Sequence, residues 1–597
     1  MWIISKPKRL KTSFKIQNVP PFTDRAEEFN LVKYKLKGKY VGQGNYFRVP
    51  ETTHTVISLL KILKKTPEIV IQIDKEYKST FQSLKTKAIK EWKHYKLELK
   101  LVTQLQTKIK QGKKFSIPKY KGINLPLYNH QYALMGLGVS LNKCAFFGDM
   151  GTGKTAPAIH SFRFRYLKGK AKKCIVIVPN SLKYKWAEGK NNEIEKHTPD
   201  LTGLVVDGVK KKREATIKDF IKNDIPFLVT SYSFWRGIKK GTESEKLINK
   251  LISITDMAIL DESHKLKSME TKTTKAVHKY FKDIKFLILM TGTPTPHSLS
   301  DIFAQYFIID PRIYGDNFFL FTKKYFITDG YKQFIKQQYK AGLISKMRAK
   351  ALIFKTDDCI DLPKKRVETV YVNTTFDYSE AATKLYMKAK GKTDKKTDVA
   401  AISMFHTLLT ACNGFVYVDK KPVPLDFNPK EEVLIELLKN IQLHKAKTLI
   451  WYSWKYCAVM LEDMMKKYKF SYILITSKDN VAERLRKIQA FEGSDISVLI
   501  TSPELTSEGF DIYTAKYSIY YNLSFKFDKI NQSEYRNRRL GSINYHDEIF
   551  YYHIVMKNSI EENILEALKT RLSYKEALFG FYDYMKTKSL KLVRRKE

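Results

Sequence analysis

The feature that most restricts the fold is the octapeptide at residues 148–155, G-D-M-G-T-G-K-T, which directly follows the apolar run at 144–147. It fits the phosphate-loop spacing G-x-x-x-x-G-K-[ST], and the apolar run is typical of a buried strand that leads into a helix. Glycines let backbone N–H groups wrap a polyphosphate, and the start of the helix adds the positive end of its dipole. The octapeptide therefore predicts an ATP-binding loop, formed by Gly148, Asp149, Met150, Gly151, Thr152, Gly153, Lys154 and Thr155.

Three side chains have predicted roles around this loop. Lys154 should reach the β and γ phosphates, and Thr155 should offer its hydroxyl to Mg²⁺. Gln131 lies 23 residues before Lys154, and its amide can both donate to and accept from an adenine edge. The alternative is an accidental glycine turn, which the strand and helix signals on either side disfavour.

Two carboxylates, Asp261 and Glu262, end the apolar run at 257–260. An isolated Asp-Glu pair is usually only a turn, but after a buried strand near a phosphate loop it predicts a catalytic site. Asp261 would hold Mg²⁺, and Glu262 would polarise the attacking water. A further apolar strand at 286–290 leads into a small hydroxylated turn that can sense the γ-phosphate and pass the change on. Its residues are Thr291, Gly292 and Thr293.

Apolar strands at 174–178 and 227–229, separated by helical segments, indicate a parallel, doubly wound sheet whose ligands bind beyond the carboxyl ends of its strands. Short hydroxyl side chains and free N–H groups at those ends suit phosphate contacts that carry no base information. Ordinary capping turns are an equally weighted alternative at any single position. The candidates for nucleic-acid contact are Pro179, Asn180, Ser181, Thr230, Ser231 and Tyr232.

Length and charge narrow the class of partner. The 597 residues suggest three to five domains, and 107 Lys or Arg against 61 Asp or Glu give a net charge of +46. Such a surplus indicates a polyanionic partner. No apolar run approaches the roughly 18 residues that span a bilayer, and the N-terminal apolar stretch is too short for a signal peptide. Nucleic acid is therefore favoured over a membrane, and secretion is not expected.

The five cysteines lie far apart without a C-x-x-C pair, which predicts buried free thiols in a reducing compartment. We expect a cytoplasmic protein, working in the general cytoplasm, a nucleoid or a viral replication site.

The first 120 residues carry 27 Lys or Arg and 9 Asp or Glu. Their pattern predicts a hairpin at 29–49, a helix at 53–63, a strand at 69–73 and a long Lys-rich helix at 77–110. The lysines of that helix are more often a solvated face than a binding groove. Residues 111–126, rich in Gly and Pro, form the predicted linker.

Together these motifs resemble those of a known family. The loop, the D-E-S-H at 261–264 and the T-G-T-P at 291–294 look like motifs I, II and III of the superfamily 2 helicases. The P-N-S-L-K-Y-K-W at 179–186, the extension D-E-S-H-K-L-K-S and the L-P-K-K at 362–365 are similar to the Swi/Snf-related DNA translocases. The resemblance runs from about residue 125 to 562.

The second half of the chain resembles the same family. Residues 447–453 are similar to motif IV, residues 498–502 and 507–511 to motif V, and Gln532, Arg536 and Arg539 keep the spacing of motif VI. Two guanidiniums one helical turn apart can face a phosphate held by the other lobe, as arginine fingers do, although either alone is also typical of a basic helix. The resemblance implies coupling by Gln532 and nucleic-acid contacts at Ser453, Thr501 and Ser502.

The chain departs from the family at three places that bear on the site. Gly148 stands where the family commonly has Asp, Ser542 where it has the terminal Gln of motif VI, and residues 353–356 (I-F-K-T) where it has a basic run. None of these removes a predicted catalytic group.

The predicted fold class is α/β, with two RecA-like parallel-sheet lobes, helical protrusions implied by the resemblance, and a small basic N-terminal α+β domain. The predicted domains are a nucleic-acid-recognition domain with its helical linker at 1–110, an ATP-binding first lobe at 111–310, protrusions and inter-lobe linker at 311–424, a second lobe at 425–575 and a basic tail at 576–597. Residues 388–398 have the composition of an exposed insertion.

The resemblance implies an ATP-dependent translocase or helicase that uses ATP and Mg²⁺ and moves on double-stranded or branched DNA. The N-terminal domain is similar in placement to the substrate-recognition domain of HepA-related annealing helicases, which favours fork remodelling or annealing. The same-class alternative is a strand-separating DNA or RNA helicase, or a transcription-release ATPase of the poxvirus or phage kind. A non-hydrolytic nucleic-acid-binding scaffold is the alternative from another class. The sequence leaves protein partners open.

Overall fold

A computed structural model of the chain defines the architecture. The described residues are 2–5, 13–17, 19, 32, 36, 39–41, 46–50, 53–67, 69–111, 125–189, 192–295, 298–328, 334–337, 340–356, 359, 361–373, 406–418, 421–425, 428–506, 512–523, 527–539 and 541–570. The predicted insertion at 388–398 and the basic tail lie outside them. Two compact units divide the chain, one made of residues 1–108 and 310–351, the other of 109–309 and 352–597.

The first unit contains a five-stranded mixed sheet in the order Lys39–Val41, Tyr46–Pro50, Ser13–Gln17, Trp2–Ser5, Ile71–Ile73. Only the last pair is parallel. Alternate residues such as Trp2, Ile4 and Ile16 are almost fully buried, because successive side chains of a strand point to opposite faces. The unit also contains helices Thr53–Lys65, Lys78–Lys110, Phe318–Tyr325 and Lys340–Met347, the 3₁₀ turn Lys75–Tyr77 and the strand pair Phe326–Thr328 and Phe334–Gln337.

The segment 310–351 is fixed to the long helix by one buried charge pair and one partly exposed pair. Glu98 on that helix binds Lys350, and the two residues are 8% and 4% exposed. Arg312 forms a two-point hydrogen bond with Asp310 and lies 3.8 Å from the Glu91 carboxylate. This segment, which begins the range predicted to hold the protrusions, is therefore part of the same unit as the N-terminal sheet.

The second unit begins with a seven-stranded sheet, and every strand pair for which a register is described is parallel. The strand order is Ala351–Phe354, Lys143–Gly148, Phe286–Met290, Met257–Asp261, Cys174–Val178, Phe227–Ser231, Gly203–Val205. Its α-helices are Asn129–Ser140, Thr155–Leu167, Lys183–Ala187, Glu193–His197, Lys210–Lys222, Tyr232–Arg236, Glu243–Ser253, Lys272–Phe281 and Ile302–Ile309, with 3₁₀ turns Asn180–Leu182, Ser263–Leu266 and Leu299–Asp301.

A second parallel sheet follows, in the order Lys364–Val372, Glu548–Met556, Ala515–Tyr520, Lys447–Trp451, Val498–Thr501, Tyr472–Leu474. Its first strand comes from the range predicted as protrusions and linker, and its row of exposed, mostly charged side chains suits the edge of a sheet. The accompanying helices are Glu431–Leu443, Lys455–Lys467, Val481–Gly493, Pro503–Thr506, Phe527–Asn537 and Ile560–Thr570, with a 3₁₀ turn Ser542–Asn544 and a hairpin Phe415–Val418 and Lys421–Pro424.

Two parallel sheets covered by helices confirm the predicted α/β class with two lobes. Among the described helices, none is both long enough and apolar enough to cross a bilayer.

Candidate active site between the two lobes

The predicted phosphate loop connects the strand Lys143–Gly148 to the helix Thr155–Leu167. Gly151 and Gly153 have φ of +77° and +66°, a region that side-chain-bearing residues seldom adopt. A Cβ on Gly153 would also lie 2.3 Å from Nε2 of Gln131. Both glycines are thus required by the backbone, which leaves a loop with no side chain in its way.

Lys154 is the cation of the loop. Its ammonium donates to the carbonyl oxygens of Gly148 and Asp149, at 2.8 Å each. Burial lowers its pKa, and the nearby carboxylates of Glu262 and Asp261 oppose that shift. The ammonium is thus placed among the other groups of the predicted catalytic set.

Gln131 lies behind the loop, on the helix Asn129–Ser140. Its amide donates to the Gly153 carbonyl at 2.9 Å, and its Oε1 accepts from the Tyr128 N–H at 2.9 Å. His130 is 2.9 Å from the Thr152 carbonyl. The start of this helix therefore supports the loop, and the assignment of Gln131 to the adenine base stays a prediction.

The carboxylates Asp261 and Glu262 stand at the end of the central strand Met257–Asp261, and Glu262 has a left-handed backbone with φ +50°. Such a conformation is strained for a residue with a side chain and is found at functional sites. Oε2 of Glu262 lies 3.1 Å from His264 Nδ1 and accepts from the Thr291 hydroxyl at 3.4 Å. Turn 291–293 thus contacts the predicted base directly.

The two carboxylates have opposite pKa shifts. Burial and the neighbouring Glu262 raise the pKa of Asp261. Burial would also raise the pKa of Glu262, but the hydrogen bond and charge of His264, with the charge of Lys154, hold it below its usual range. Glu262 is therefore ionised and able to polarise a water molecule.

Several positioning residues were missed by the sequence reasoning. Gln305, fully buried, accepts from the Ser263 hydroxyl at 2.9 Å and donates to the Pro294 carbonyl at 2.6 Å, so it ties motif II to motif III. The Trp186 side chain hydrogen-bonds the Asp261 carboxylate. Gln305 could have been suspected from the sequence, because it is the only carboxamide side chain in the largely apolar helix Ile302–Ile309.

The departures from the family pattern have structural counterparts. A Cβ on Gly148 would lie 2.4 Å from the ring of Phe354, so this ring fills the space that a larger residue would need. Thr356 follows it, donating from its N–H to Asp149 at 3.2 Å and from its hydroxyl to the Met150 carbonyl at 3.2 Å. The unusual sequence at 353–356 therefore supports the phosphate loop.

The second lobe brings its guanidiniums to the same place. Nε of Arg539 lies 3.6 Å from the position that a Cβ on Gly151 would take. The Ser542 hydroxyl accepts from the Arg539 N–H at 3.0 Å and donates to its carbonyl, which fixes the backbone there. Tyr535, from the same lobe, donates to the Asp149 carboxylate at 3.4 Å. The lobes thus meet directly over the phosphate loop.

Arg536 and Gln532, on the helix Phe527–Asn537, are 6% and 3% exposed. Burial lowers the pKa of Lys185 in the first lobe, and the charges of Arg539 and Arg536 lower it further. The charges of both guanidiniums are therefore felt by Lys185 in the first lobe. The coupling role of Gln532 stays a prediction.

The residues present fit ATP with Mg²⁺. Gly151 and Gly153 keep the loop clear of Cβ atoms, and a lysine, two carboxylates and a guanidinium surround it. Thr155 and Asp261 would hold Mg²⁺, which would neutralise charge on the β and γ phosphates. No cluster of three metal-binding side chains occurs in the described parts of the chain.

The predicted nucleic-acid contacts are placed unevenly. Asn180, Ser181 and Ser453 are exposed. Thr230 and Thr501 are fully buried, and Thr230 accepts from the Trp235 indole at 2.8 Å. The others, all buried, are Pro179, Ser231, Tyr232 and Ser502.

Tyr232 and Ser231 have defined partners within the protein. The Tyr232 hydroxyl donates to the backbone carbonyl of Asp261 at 2.7 Å, and Ser231 caps the helix Tyr232–Arg236 through the Phe234 N–H. Tyr232 therefore links this strand end to the carboxylate strand. Contacts of these residues with nucleic acid stay predictions.

Two protein-family models match this chain. The SNF2-related domain matches residues 130–413, and the helicase conserved C-terminal domain matches residues 429–541. The chain is 25% identical over 495 residues to the ISWI chromatin-remodeling complex ATPase ISW2 of Saccharomyces cerevisiae, covering 79% of this chain but only 41% of that protein. It is 24% identical over 538 residues to the uncharacterized ATP-dependent helicase YqhH of Bacillus subtilis, covering 83% of this chain and 87% of that protein.

The chain thus spans about two fifths of the length of the yeast relative and most of the bacterial one. Among solved structures, the Sulfolobus solfataricus SWI2/SNF2 ATPase core in complex with dsDNA aligns with 76% of this chain and 93% of its own, at 18% identity and a TM-score of 0.37.

Proposed function

The chain belongs to the SNF2-related family of superfamily 2 ATPases, and we propose that it is a DNA-dependent ATPase that moves along double-stranded or branched DNA and remodels or anneals it. One observation carries this proposal: Arg539 of the second lobe lies against Gly151 of the phosphate loop, in the same cleft as Lys154 and Glu262. Neither lobe alone has all of these groups.

The arrangement couples ATP use to movement. Lys154 binds the phosphates, Glu262 orients and polarises the attacking water, and Arg536 and Arg539 stabilise the charge that develops during phosphoryl transfer. Because these groups come from both lobes, bound ATP favours the closed cleft and hydrolysis releases it. If each lobe holds a strand backbone, repeated closure moves the protein along the strand.

The net positive charge and the named relatives support DNA as the polymer along which the protein moves. A surplus of 46 positive charges favours a phosphate backbone, whose binding is tolerant of sequence and sensitive to salt. The yeast relative is named as a chromatin-remodeling ATPase, and chromatin is double-stranded DNA with its proteins. The basic N-terminal domain resembles the recognition domain of HepA-related annealing helicases, which favours branched DNA.

The test is ATP turnover by the full chain with single-stranded, duplex and forked DNA and with RNA, at several salt concentrations. We expect duplex or forked DNA to stimulate turnover most, less so as salt rises, and Lys154→Ala to abolish the stimulated turnover. Turnover that ignores nucleic acid, or survives Lys154→Ala, would contradict the proposal and favour a non-hydrolytic scaffold.

A strand-separating helicase is the second candidate, because the bacterial relative of similar length is named as a helicase. Displacement of a triplex-forming strand without unwinding of a tailed duplex supports translocation on duplex DNA. Ordinary unwinding of the tailed duplex supports the second candidate instead.

A further inference from the structure

A cavity of about 260 Å³ lies in the first lobe, away from the phosphate loop. It is formed by the helices Lys210–Lys222, Tyr232–Arg236 and Glu243–Ser253 and by the turn that follows the second of them. Its volume is just below the range of pockets that hold drug-sized molecules. This volume is enough for a single flat ring system.

The inside of the cavity is apolar. Ile217 and Ile248 form its floor, each 2% exposed, and Phe234, Ile238 and Leu247 line it as partly buried side chains. An aromatic ring among branched aliphatic side chains suits stacking with another flat ring.

The mouth of the cavity is positively charged. Lys210, Arg213 and Lys239 line it, and Nε of Arg213 is buried without a hydrogen-bond partner among the described residues. The one carboxylate in the lining, Glu214, accepts from Ser244 at 2.6 Å and lies 3.7 Å from Lys210. The ligand should therefore carry negative charge beside its flat ring.

The charge extends beyond the cavity as an exposed basic surface, made up of Lys211, Lys212, Arg236 and Lys240. The cavity also lies on the active edge of the sheet. Tyr232–Arg236 directly follows the strand Phe227–Ser231, and the carboxyl ends of parallel strands share one edge. Its position continues the predicted path of the nucleic-acid backbone.

We propose that this cavity binds one unstacked base of a nucleic-acid single strand, with the adjoining phosphates on Lys210 and Arg213. The base stacks on Phe234, and the backbone follows the basic surface, so the strand is held without regard to sequence. Such a site would retain a displaced or unpaired strand next to the motor. The inference rests on the proposed function for its choice of nucleic acid as the occupant.

Binding to two strands tests the cavity without ATP. In fluorescence anisotropy with the full chain, we expect oligothymidine to bind about tenfold more tightly than a strand of equal length that lacks all bases. Gly237→Phe should remove this difference. Gly237 lines the cavity with an ordinary backbone conformation, and its added Cβ would meet only ordinary contacts, the nearest at 3.4 Å. If Gly237→Phe discriminates between the strands as the unmodified chain does, the proposal is wrong.

A matched charge pair provides the control. Arg213→Ala and Lys211→Ala each remove one charge from the same helix, but only Arg213 lines the cavity. We expect Arg213→Ala to weaken strand binding severalfold more than Lys211→Ala at one salt concentration. Equal losses would show a general charge effect and would overturn the assignment.

A further measurement needs no variant. Irradiation of a strand containing 5-iodouracil should crosslink it to Phe234, located by mass spectrometry, and crosslinks confined to other regions would contradict the proposal. If Gly237→Phe abolished the binding of an acidic, Phe-containing peptide but left oligothymidine binding unchanged, the cavity would be a protein-docking site instead. Failure of DNA-stimulated ATP turnover, by contrast, would refute the proposed function and leave base-dependent strand binding to be judged separately.

Discussion

The two parallel sheets of the second unit have a similar architecture, but they bring different side chains to the cleft between the lobes. The first lobe places a lysine and two carboxylates, Asp261 and the left-handed Glu262, around the phosphate loop, held together by His264, Thr291 and Gln305. The second lobe brings guanidiniums, with Arg539 fixed by Ser542. In the proposed function the first lobe therefore binds ATP and activates the attacking water, the second lobe stabilises developing charge, and closure of the cleft is part of the reaction.

The largest effect should come from the first lobe. Glu262→Gln removes the predicted base and should lower DNA-stimulated ATP turnover about 10⁴-fold while ATP binding persists. Steady-state turnover and equilibrium binding of a fluorescent ATP analogue measure the two quantities. A loss of less than tenfold would mean that another group activates the water.

The corresponding change in the second lobe should be nearly as large. Arg539→Ala should reduce turnover about 10³-fold, with ATP affinity reduced much less, because the guanidinium acts mainly on the transition state. Arg366→Ala removes the same charge from an exposed ion pair with Glu548 and should have little effect. Equal losses in the two variants would show a general effect of lost charge and would contradict a specific role of Arg539 in the second lobe.

The fold of the second lobe can be weakened without touching this chemistry. Lys430 and Glu561 form a fully buried ion pair at 2.6 Å, and Lys430 also donates to Asn413 and the Tyr521 carbonyl. Lys430→Met leaves a buried carboxylate unpaired and should cost about 3–5 kcal/mol of unfolding free energy. Hydrogen exchange in the strand Lys447–Trp451 measures this.

The double variant Lys430→Met, Glu561→Leu is the control for that change. It removes both charges and should recover most of the lost stability. Faster exchange in the strands of the first lobe as well would show that the two lobes unfold together rather than separately.

A smaller effect should follow from Gln305→Leu, which keeps the apolar packing but leaves the Ser263 hydroxyl and the Pro294 carbonyl without their partner. We expect turnover to fall about tenfold, as for the loss of one or two buried hydrogen bonds. Because Gln305 acts by positioning, kcat should fall more than KM rises. A change in KM alone would assign Gln305 to ATP binding.

The smallest effect should come from the contact between the lobes themselves. Tyr535→Phe removes a long hydrogen bond to Asp149 and should raise the KM for ATP about two- to fivefold. Tyr535→Ala would also lose the ring packing, so the pair separates the hydroxyl from the ring. No change in KM for Tyr535→Phe would show that the hydroxyl does not help close the cleft.

The sequence was sufficient where local structure depends on neighbouring residues. The loop, the strand before it and the carboxylate pair were all predicted, because glycine spacing and apolar runs act locally. Contacts across the chain were missed. Thr356 meets Asp149 from 207 residues away, and Gln305 meets Ser263 from 42. The strand Trp2–Ser5 was seen only as a short apolar stretch, because one of the two strands that it pairs with, Ile71–Ile73, lies far along the chain.

Burial limited the predictions for nucleic acid. Hydroxyl residues at strand ends were chosen for their type, yet Thr230 and Thr501 are fully enclosed by their own lobes. Sequence alone cannot separate a hydroxyl that faces solvent from one that caps a turn. The cavity beside Phe234 had no signal in the chain, because three separate helices build it.

The composition of the first unit from two distant stretches decides how the protein can be dissected. Deletion of the first 108 residues would not leave an intact ATPase. It would remove Glu98, the buried partner of Lys350, and would leave residues 310–351 without the rest of their unit. Loss of activity in such a truncation would reflect the exposed, incomplete segment 310–351 rather than the loss of a recognition domain. Point changes on the exposed surface of the N-terminal sheet are the sounder instrument.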